Sequence, residues 1–303
     1  MNSLRQFIRL SRPMYLLGAI LLYFLGTGIA HYLSGQIDLL AYLLGLAWMI
    51  VIHLSAQYLQ EYFDFTPLSE NQSPKRTPFS GATGAIGSGK LPRQVPLWAG
   101  LACLTVGAAL TILLVQGHSH SPGVYLILGL IFIGEFVYCV PPFRLASSGY
   151  GELVMSIIMV GFIPALAYLL QGRDFHRLLI MVAFPLTTLY IGMLLALEFP
   201  DYAADLNYGI HPLLVRIGWQ KGMLIHNILI LGSFVILGVA IVFGLPITIA
   251  LPALFVLPIG GFQVWMMYRI EGGAKPNWAL LSLTAVSTFG LTTYLLTFAF
   301  WTH

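Results

Sequence analysis

Nine apolar stretches, each near the 20 residues that cross a bilayer as one helix, set the terms for any fold this chain can adopt. They run over approximately 13–33, 38–62, 95–116, 122–140, 150–171, 177–199, 220–244, 246–268 and 277–301. Turn chemistry separates them: Gly117-His118-Ser119-His120-Ser121-Pro122, Pro141-Pro142, Gly172-Arg173-Asp174, Gly244-Leu245-Pro246 and Gly272-Gly273-Ala274-Lys275-Pro276. The break at 244–246 is the least marked, because the two runs flanking it read almost as one. Only 8% of the residues are charged, against about a quarter in soluble proteins. A water-soluble surface cannot be built from that composition, so the solvent is lipid. The expected fold is an all-α integral membrane bundle of nine transmembrane helices around a central cavity, one domain over 1–303.

The first run follows Arg5, Arg9 and Arg12 and contains Gly28-Ile29-Ala30, a small-x-small pattern of the kind that ends a signal peptide. From Tyr15 to Tyr32 it is nevertheless long enough to span, and further spans follow, so it reads as a retained first helix. The distribution of Lys and Arg sets the orientation. With the N-terminus inside, inner connections hold Arg5, Arg9, Arg12, Lys75, Arg76, Lys90, Arg93, Arg144, Arg216, Lys221, Arg269 and Lys275, and outer ones only Arg173 and Arg177, twelve of the 14 basic residues against two. The expectation is a cell-membrane protein of the bacterial inner-membrane kind, N-terminus cytoplasmic and C-terminus outside. A net charge of +3 without a basic, aromatic-interleaved run excludes nucleic acid as a partner. Cys103 and Cys139 are isolated in apolar surroundings and read as small hydrophobes, not as a disulfide or metal pair.

Six of the 11 acidic residues fall in two clusters. The first is Gln57-Tyr58-Leu59-Gln60-Glu61-Tyr62-Phe63-Asp64, followed by Glu70; the second is Glu198-Phe199-Pro200-Asp201-Tyr202-Ala203-Ala204-Asp205. Both close an apolar span at its inner end. Gln57, Gln60, Glu61 and Asp64 share a helix face by their spacing of three or four, and Asp201 and Asp205 are four apart. Like charges so placed repel and call for compensation. Oxygen ligands on facing helices suit Mg²⁺, which keeps water and substrate phosphates in its shell. With Lys and Arg in the same loops, this is the chemistry of a metal–diphosphate site. The competing reading is a pair of wet, unpaired helix ends. Two matched clusters in a chain this poor in carboxylates argue against it.

At these residues the chain resembles the UbiA superfamily of intramembrane aromatic prenyltransferases. Members carry an Asn-Asp-x-x-Asp motif after the second of nine helices and an Asp-x-x-x-Asp motif after the sixth. Here those positions read Gln60-Glu61-Tyr62-Phe63-Asp64 and Asp201-Tyr202-Ala203-Ala204-Asp205, with Glu70 where a further Asp of the first motif lies. Ser11-Arg12-Pro13 is similar to the start of the family's first helix. Ser80-Gly81-Ala82-Thr83-Gly84-Ala85-Ile86, Ser88-Gly89-Lys90-Leu91, Pro141-Pro142-Phe143 and Gly149-Tyr150-Gly151-Glu152-Leu153 resemble the loops of the branch that prenylates 1,4-dihydroxy-2-naphthoate in menaquinone synthesis. Three positions depart from the family: Gln60 for Asn, Glu61 for Asp, and Ile210 where a Lys follows Gly209.

The resemblance implies transfer of a polyprenyl group from its diphosphate to an aromatic acceptor within the bilayer. Mg²⁺ would be held by Gln60, Glu61, Asp64, Asp201 and Asp205, and the diphosphate would be paired by Lys90, Arg93, Arg144 and Lys221. Glu135, an ionisable group inside the fourth span, reads either as a group orienting the acceptor or as a structural hydrogen bond to a neighbouring helix. Glu152 matches a family position at the inner face and joins Asp64, Asp201 and Glu135 as a candidate catalytic residue. His53 either faces the cavity or serves as a satisfied interhelical histidine, and His118 and His120 read as a solvated turn. Phe63, Tyr62, Tyr138 and Tyr202 lie near enough to the motifs to shield a carbocation. The departures motivate a rival reading, a catalytically degenerate membrane subunit or lipid-binding protein. A transporter would set its charges at mid-membrane, not at helix ends.

Overall fold

The computed structural model describes residues 2–65, 83–87, 90–117, 121–172 and 174–303. Glu70, Lys75, Arg76, His118, His120, Arg173 and the segments Ser80-Gly81-Ala82 and Ser88-Gly89 lie outside them. Among the described residues nine helices are long and apolar enough to cross a membrane. A short amphipathic helix, α1 (Asn2–Leu10), precedes them. The spans are α2 (Pro13–Ser34), α3 (Leu39–Asp64), α4 (Gln94–Gly117), α5 (Pro122–Cys139), α6 (Gly151–Leu169) and α7 (Arg177–Glu198). Two short helices, α8 (Tyr202–Tyr208) and α9 (Leu213–Ile217), lead to α10 (Trp219–Val242), α11 (Ile247–Glu271) and α12 (Trp278–Thr302). Each span lies within a few residues of its expected place, and the ambiguous break at 244–246 is a true turn. Gly244 makes it with φ of +106°, which a side-chain-bearing residue rarely adopts.

Local chemistry explains where the helices begin. Pro13 and Pro122 occupy first turns, where a missing N–H costs nothing. Asp38 accepts from the backbone N–H of Leu40 and Ala41, both at 3.0 Å, and Asn277 accepts from Leu280 N at 3.2 Å. Within α6 the helix widens into a π-type segment, Ile157–Phe162, just ahead of Pro164. Local widening is one way a helix absorbs a proline that cannot donate its hydrogen bond.

The first and last spans pack on each other, and α2 also packs on α6 while α12 packs on α7 and α11. Helix α7 lies against α10, and α3 carries α4 on one side and α5 on another. In lipid such contacts rest on close approach and on hydrogen bonds. Gly26 supplies the first: a Cβ there would run into the Pro164 carbonyl of α6. Gly26→Ala should therefore force α2 and α6 apart and cost about 1–3 kcal/mol, the usual penalty of overpacking, read as a lower thermal midpoint of the purified protein. Hydrogen bonding is supplied by a fully buried chain across three spans. Gln263 Nε2 meets His226 Nε2 at 2.8 Å, and Thr288 donates to Gln263 Oε1 at 3.1 Å, joining α10, α11 and α12. Cys103 and Cys139 are both free thiols.

Candidate active site

Helices α3 and α7 end at the same side of the bundle, so the two acidic clusters share it. The first motif closes α3, where Asp64 is the last helical residue. Two arginines from distant loops meet it. Arg12 Nη2 donates to Glu61 Oε2 at 3.1 Å and Arg12 Nη1 to Gln60 Oε1 at 3.4 Å. Arg144 Nη2 donates to Asp64 Oδ1. Arg12 (φ +43°) and Arg144 (φ +42°) are the non-glycine residues with positive φ among those described. Left-handed backbone at a bulky residue costs energy and persists where surrounding contacts impose it. Here both such residues hold the same motif.

Glu61 is held by hydrogen bonds from two distant segments. Thr83 donates to it from both its backbone N–H and its hydroxyl, and Arg12 takes the second oxygen. The Thr83–Ile86 strip is thereby anchored on α3, with Ala85 packed against Leu10, Tyr58 and Leu91. Glu61, 6% exposed, thus ties the loop between α3 and α4 and the start of α2 to the end of α3.

The second motif is arranged differently. Pro200 follows the end of α7, Asp201 precedes α8, and Asp205 lies within it. Glu198 Oε2 accepts from Leu214 N at 2.8 Å, which folds α9 back onto α7. Glu198 also shares a hydrogen bond with Glu152 at the start of α6. Burial first, then the charges of Asp201 and Glu152, push Asp205 up to about 7 from the ordinary aspartate range. Glu152, Glu198, Asp201 and Asp205 are therefore one mutually repelling group. Among the described residues, however, no three His, Cys, Asp or Glu already stand in a metal-holding array.

Between the two motifs lies a tyrosine layer. Tyr15 of α2 is in electrostatic reach of Arg12, Asp201 and Glu198. Tyr138 of α5 is in reach of Glu152, Arg12, Tyr190 and Tyr15. Of the aromatic residues singled out from sequence, Tyr138 lies within electrostatic reach of Glu152. Tyr62 packs edge-on to Phe63 and lies under the Arg93 guanidinium, 5.0 Å from its ring centroid, and Tyr202 packs on Trp219.

The expected diphosphate cations divide accordingly. Arg144 reaches the first motif directly, and Arg93 stands over Tyr62 beside it. Lys90 and Lys221 are exposed. Two groups at the centre of this geometry were not among the expected site residues: Arg12 and Glu198. The signals were present, a cation immediately ahead of the first span's proline and an acid one turn before Asp201. Position alone does not reveal their partners. Glu135, buried at 3% exposure, accepts from His53 Nδ1 at 2.9 Å deeper in the bundle.

A sequence model described as the UbiA prenyltransferase family matches residues 19–286. Among solved structures, a UbiA homolog from Archaeoglobus fulgidus bound to GPP and Mg²⁺ is 14% identical with a TM-score of 0.66, covering 96% of this chain and 99% of that one. The same homolog bound to DMAPP and Mg²⁺ is 15% identical at a TM-score of 0.64, with coverage of 96% and 99%. A structure reported for digeranylgeranylglyceryl phosphate synthase is 14% identical at a TM-score of 0.65, covering 99% and 98%. At these identities the likeness is one of fold. No curated protein matches in sequence.

Proposed function

Because the chain belongs to the UbiA prenyltransferase family, we propose that it transfers a polyprenyl group from its diphosphate to an aromatic acceptor, with a divalent metal. The acceptor class is a quinone precursor such as 1,4-dihydroxy-2-naphthoate, to which the loop residues Thr83-Gly84-Ala85-Ile86 and Gly149-Tyr150-Gly151-Glu152-Leu153 are similar. The observation that carries the reading is the meeting, at one end of the bundle, of a repelling carboxylate group with two arginines held in left-handed backbone.

The donor set fits a hard cation. Asp201 and Asp205 crowd one another, and Asp64 stands one turn beyond Gln60 on α3, so Gln60, Asp64, Asp201 and Asp205 are the residues assigned to hold Mg²⁺. Bound there, the metal would supply Lewis-acid stabilisation of the departing diphosphate. Arg144 and Arg12 add fixed positive charge at the first motif, and Arg93 extends it at the surface. Arg144 is poised to exchange its carboxylate partner for phosphate oxygens. Tyr15, Tyr138 and Tyr190 set aromatic side chains below the carboxylates, where electron-rich faces stabilise positive charge developing on an allylic carbon. The apolar spans around them exclude water that would capture that carbon. The reading extends to topology: cysteine labelling should find 83–93 and 205–218 on the cytoplasmic side and His303 outside.

The raised Asp205 gives a pH signature. An acid whose pKa rises on folding keeps its proton in the folded state between about 4 and about 7. Stability of the metal-free protein therefore falls as pH rises through that window, while a divalent cation must displace the proton. Magnesium affinity, measured by calorimetry, should rise about tenfold per pH unit up to about 7 and level off above. The functional test is purified protein with Mg²⁺, a prenyl diphosphate series and several aromatic acceptors. Prenylated product in none of these combinations would sink the assignment in favour of a non-catalytic subunit, a rival that the changes at Gln60, Glu61 and Ile210 keep in view.

A further inference from the structure

Helix α1 takes no part in the carboxylate chemistry, yet it runs directly into Arg12. Successive helical residues turn by about 100°, so α1 presents three faces. Phe7 and Leu10 form the first, which docks on the bundle. Leu10 is fully buried with Tyr58, Ala85 and Leu91, and the rings of Phe7 and Tyr58 lie 5.8 Å apart. Leu4 and Ile8 form the second and are 69% and 54% exposed. Arg5 and Arg9 form the third and are exposed as well. Helix α1 carries no acidic residue, and among the described residues neither arginine meets a carboxylate.

The docked face sets the level of the helix. Tyr58 lies within two turns of the end of α3, so α1 sits beside the motif end of the bundle, where α2 enters the bilayer at Pro13. An apolar pair flanked by a cationic pair at the foot of a span is the pattern of an interfacial helix. Its apolar side meets acyl chains and its cations meet phosphates. Two apolar side chains offer far less than the roughly 800 Å² per partner that a stable protein interface buries. The unopposed charge of Arg5 and Arg9 selects anionic over zwitterionic headgroups.

A rigid path leads from this surface to the first motif. Ser11 N donates to Phe7 O at 3.1 Å and Arg12 N to Arg9 O at 3.2 Å. The Ser11 and Tyr58 hydroxyls share a hydrogen bond of 2.6 Å. The chain then turns at Arg12 in left-handed backbone, and the Arg12 guanidinium holds Gln60 and Glu61. Glu61 in turn accepts from Thr83. A shift of α1 is therefore a shift of Arg12 and of what it holds.

We infer that Arg5 and Arg9, with Leu4 and Ile8 beside them, bind anionic phospholipid headgroups of the adjoining leaflet, and that lipid bound there steadies Arg12 against the first motif. The guanidinium forks pair with phosphate oxygens, while Leu4 and Ile8 rest on the acyl chains below.

The test places the purified full chain in nanodiscs of phosphatidylcholine with and without phosphatidylglycerol. Native mass spectrometry counts the lipids retained, and hydrogen exchange follows the amides around Thr83. Wild type is set beside Arg5→Gln/Arg9→Gln and, as a control for charge at the same end of the bundle, Arg269→Gln/Lys275→Gln. Wild type should retain phosphatidylglycerol over phosphatidylcholine by about tenfold, the scale of two arginines at an anionic surface. Phosphatidylglycerol should slow exchange around Thr83 at least about fivefold, the low end of ordinary coupling between sites. The α1 variant should lose both effects and keep its thermal midpoint in phosphatidylcholine, and the control pair should keep both. Equal losses in the two variants would mean diffuse surface charge and overturn the site. Lipid retention with exchange unchanged would overturn the link to Arg12. A wild type indifferent to phosphatidylglycerol overturns the whole, and a dimer that Leu4→Gln/Ile8→Gln splits would make a second copy the occupant instead. No readout uses prenyl transfer, so failure here is separate from failure of the function reading.

Discussion

Asp64→Asn and Asp201→Asn should each lower prenyl transfer at least about a thousandfold while the protein stays folded and monodisperse. Each change replaces a carboxylate with an amide of the same shape, so packing is preserved and only charge is lost. Magnesium prefers anionic oxygen and accepts few substitutions in its octahedral shell. Metal-dependent electrostatic stabilisation is worth several kcal/mol to a transition state, and each 1.36 kcal/mol is tenfold in rate. The two variants differ in what else they disturb. Asp64→Asn also releases the Arg144 side chain, so donor affinity should change along with turnover. Asp201→Asn relieves the repulsion on Asp205, so the metal-free variant should be at least as heat-stable as wild type. Near-wild-type rates in both variants would show that the metal site is misassigned.

The fold was legible because lipid leaves a chain of this composition few options. Nine long apolar runs, separated by Gly, Pro and charged turns, translate directly into helices that must satisfy their own backbone. The two acidic clusters stood out for a related reason, since carboxylates are rare here and sit at helix ends. What could not be read was pairing. Arg12 and Glu61 are 49 residues apart, and His53 meets Glu135 across 82. Whether such groups touch depends on the rotation and tilt of each helix, which α3 and α5 inherit from packing and not from their own periodicity. The same holds for Glu152 and Glu198. Hence the place of Glu61 in the motif did not reveal that its oxygens accept from Thr83 and Arg12.

Those contacts bear on what the departures from the family pattern mean. Glu61→Asp should lower both stability and turnover, although it moves the chain toward the family's own residue. Losing one methylene withdraws the carboxylate by roughly 1.5 Å, beyond hydrogen-bond reach of Thr83 N, now at 3.1 Å, and of Arg12 Nη2, also at 3.1 Å. A buried N–H left unsatisfied costs about 1–3 kcal/mol, and separating a largely buried ion pair costs about 3–5 kcal/mol when one partner is removed outright. A shortened partner should fall between these. The Thr83 strip would detach from α3 and Arg12 would lose its anchor at the first motif. Misplacement of site groups by ~1 Å can cost about a hundredfold in rate, so the expected result is a lower thermal midpoint together with a loss of turnover of ten- to a hundredfold. Gln60→Asn should cost less, because among the described residues the Gln60 side chain is held by a single 3.4 Å contact. Adding Ile210→Lys tests the remaining departure, since Ile210 is exposed just past the Gly209 cap and can carry a cation without repacking. Wild-type activity that falls on Glu61→Asp identifies Glu61 as an adapted anchor in a working enzyme. A silent wild type, with turnover appearing only once Gln60→Asn, Glu61→Asp and Ile210→Lys are combined, would instead mark the chain as a member of the family that has lost its chemistry.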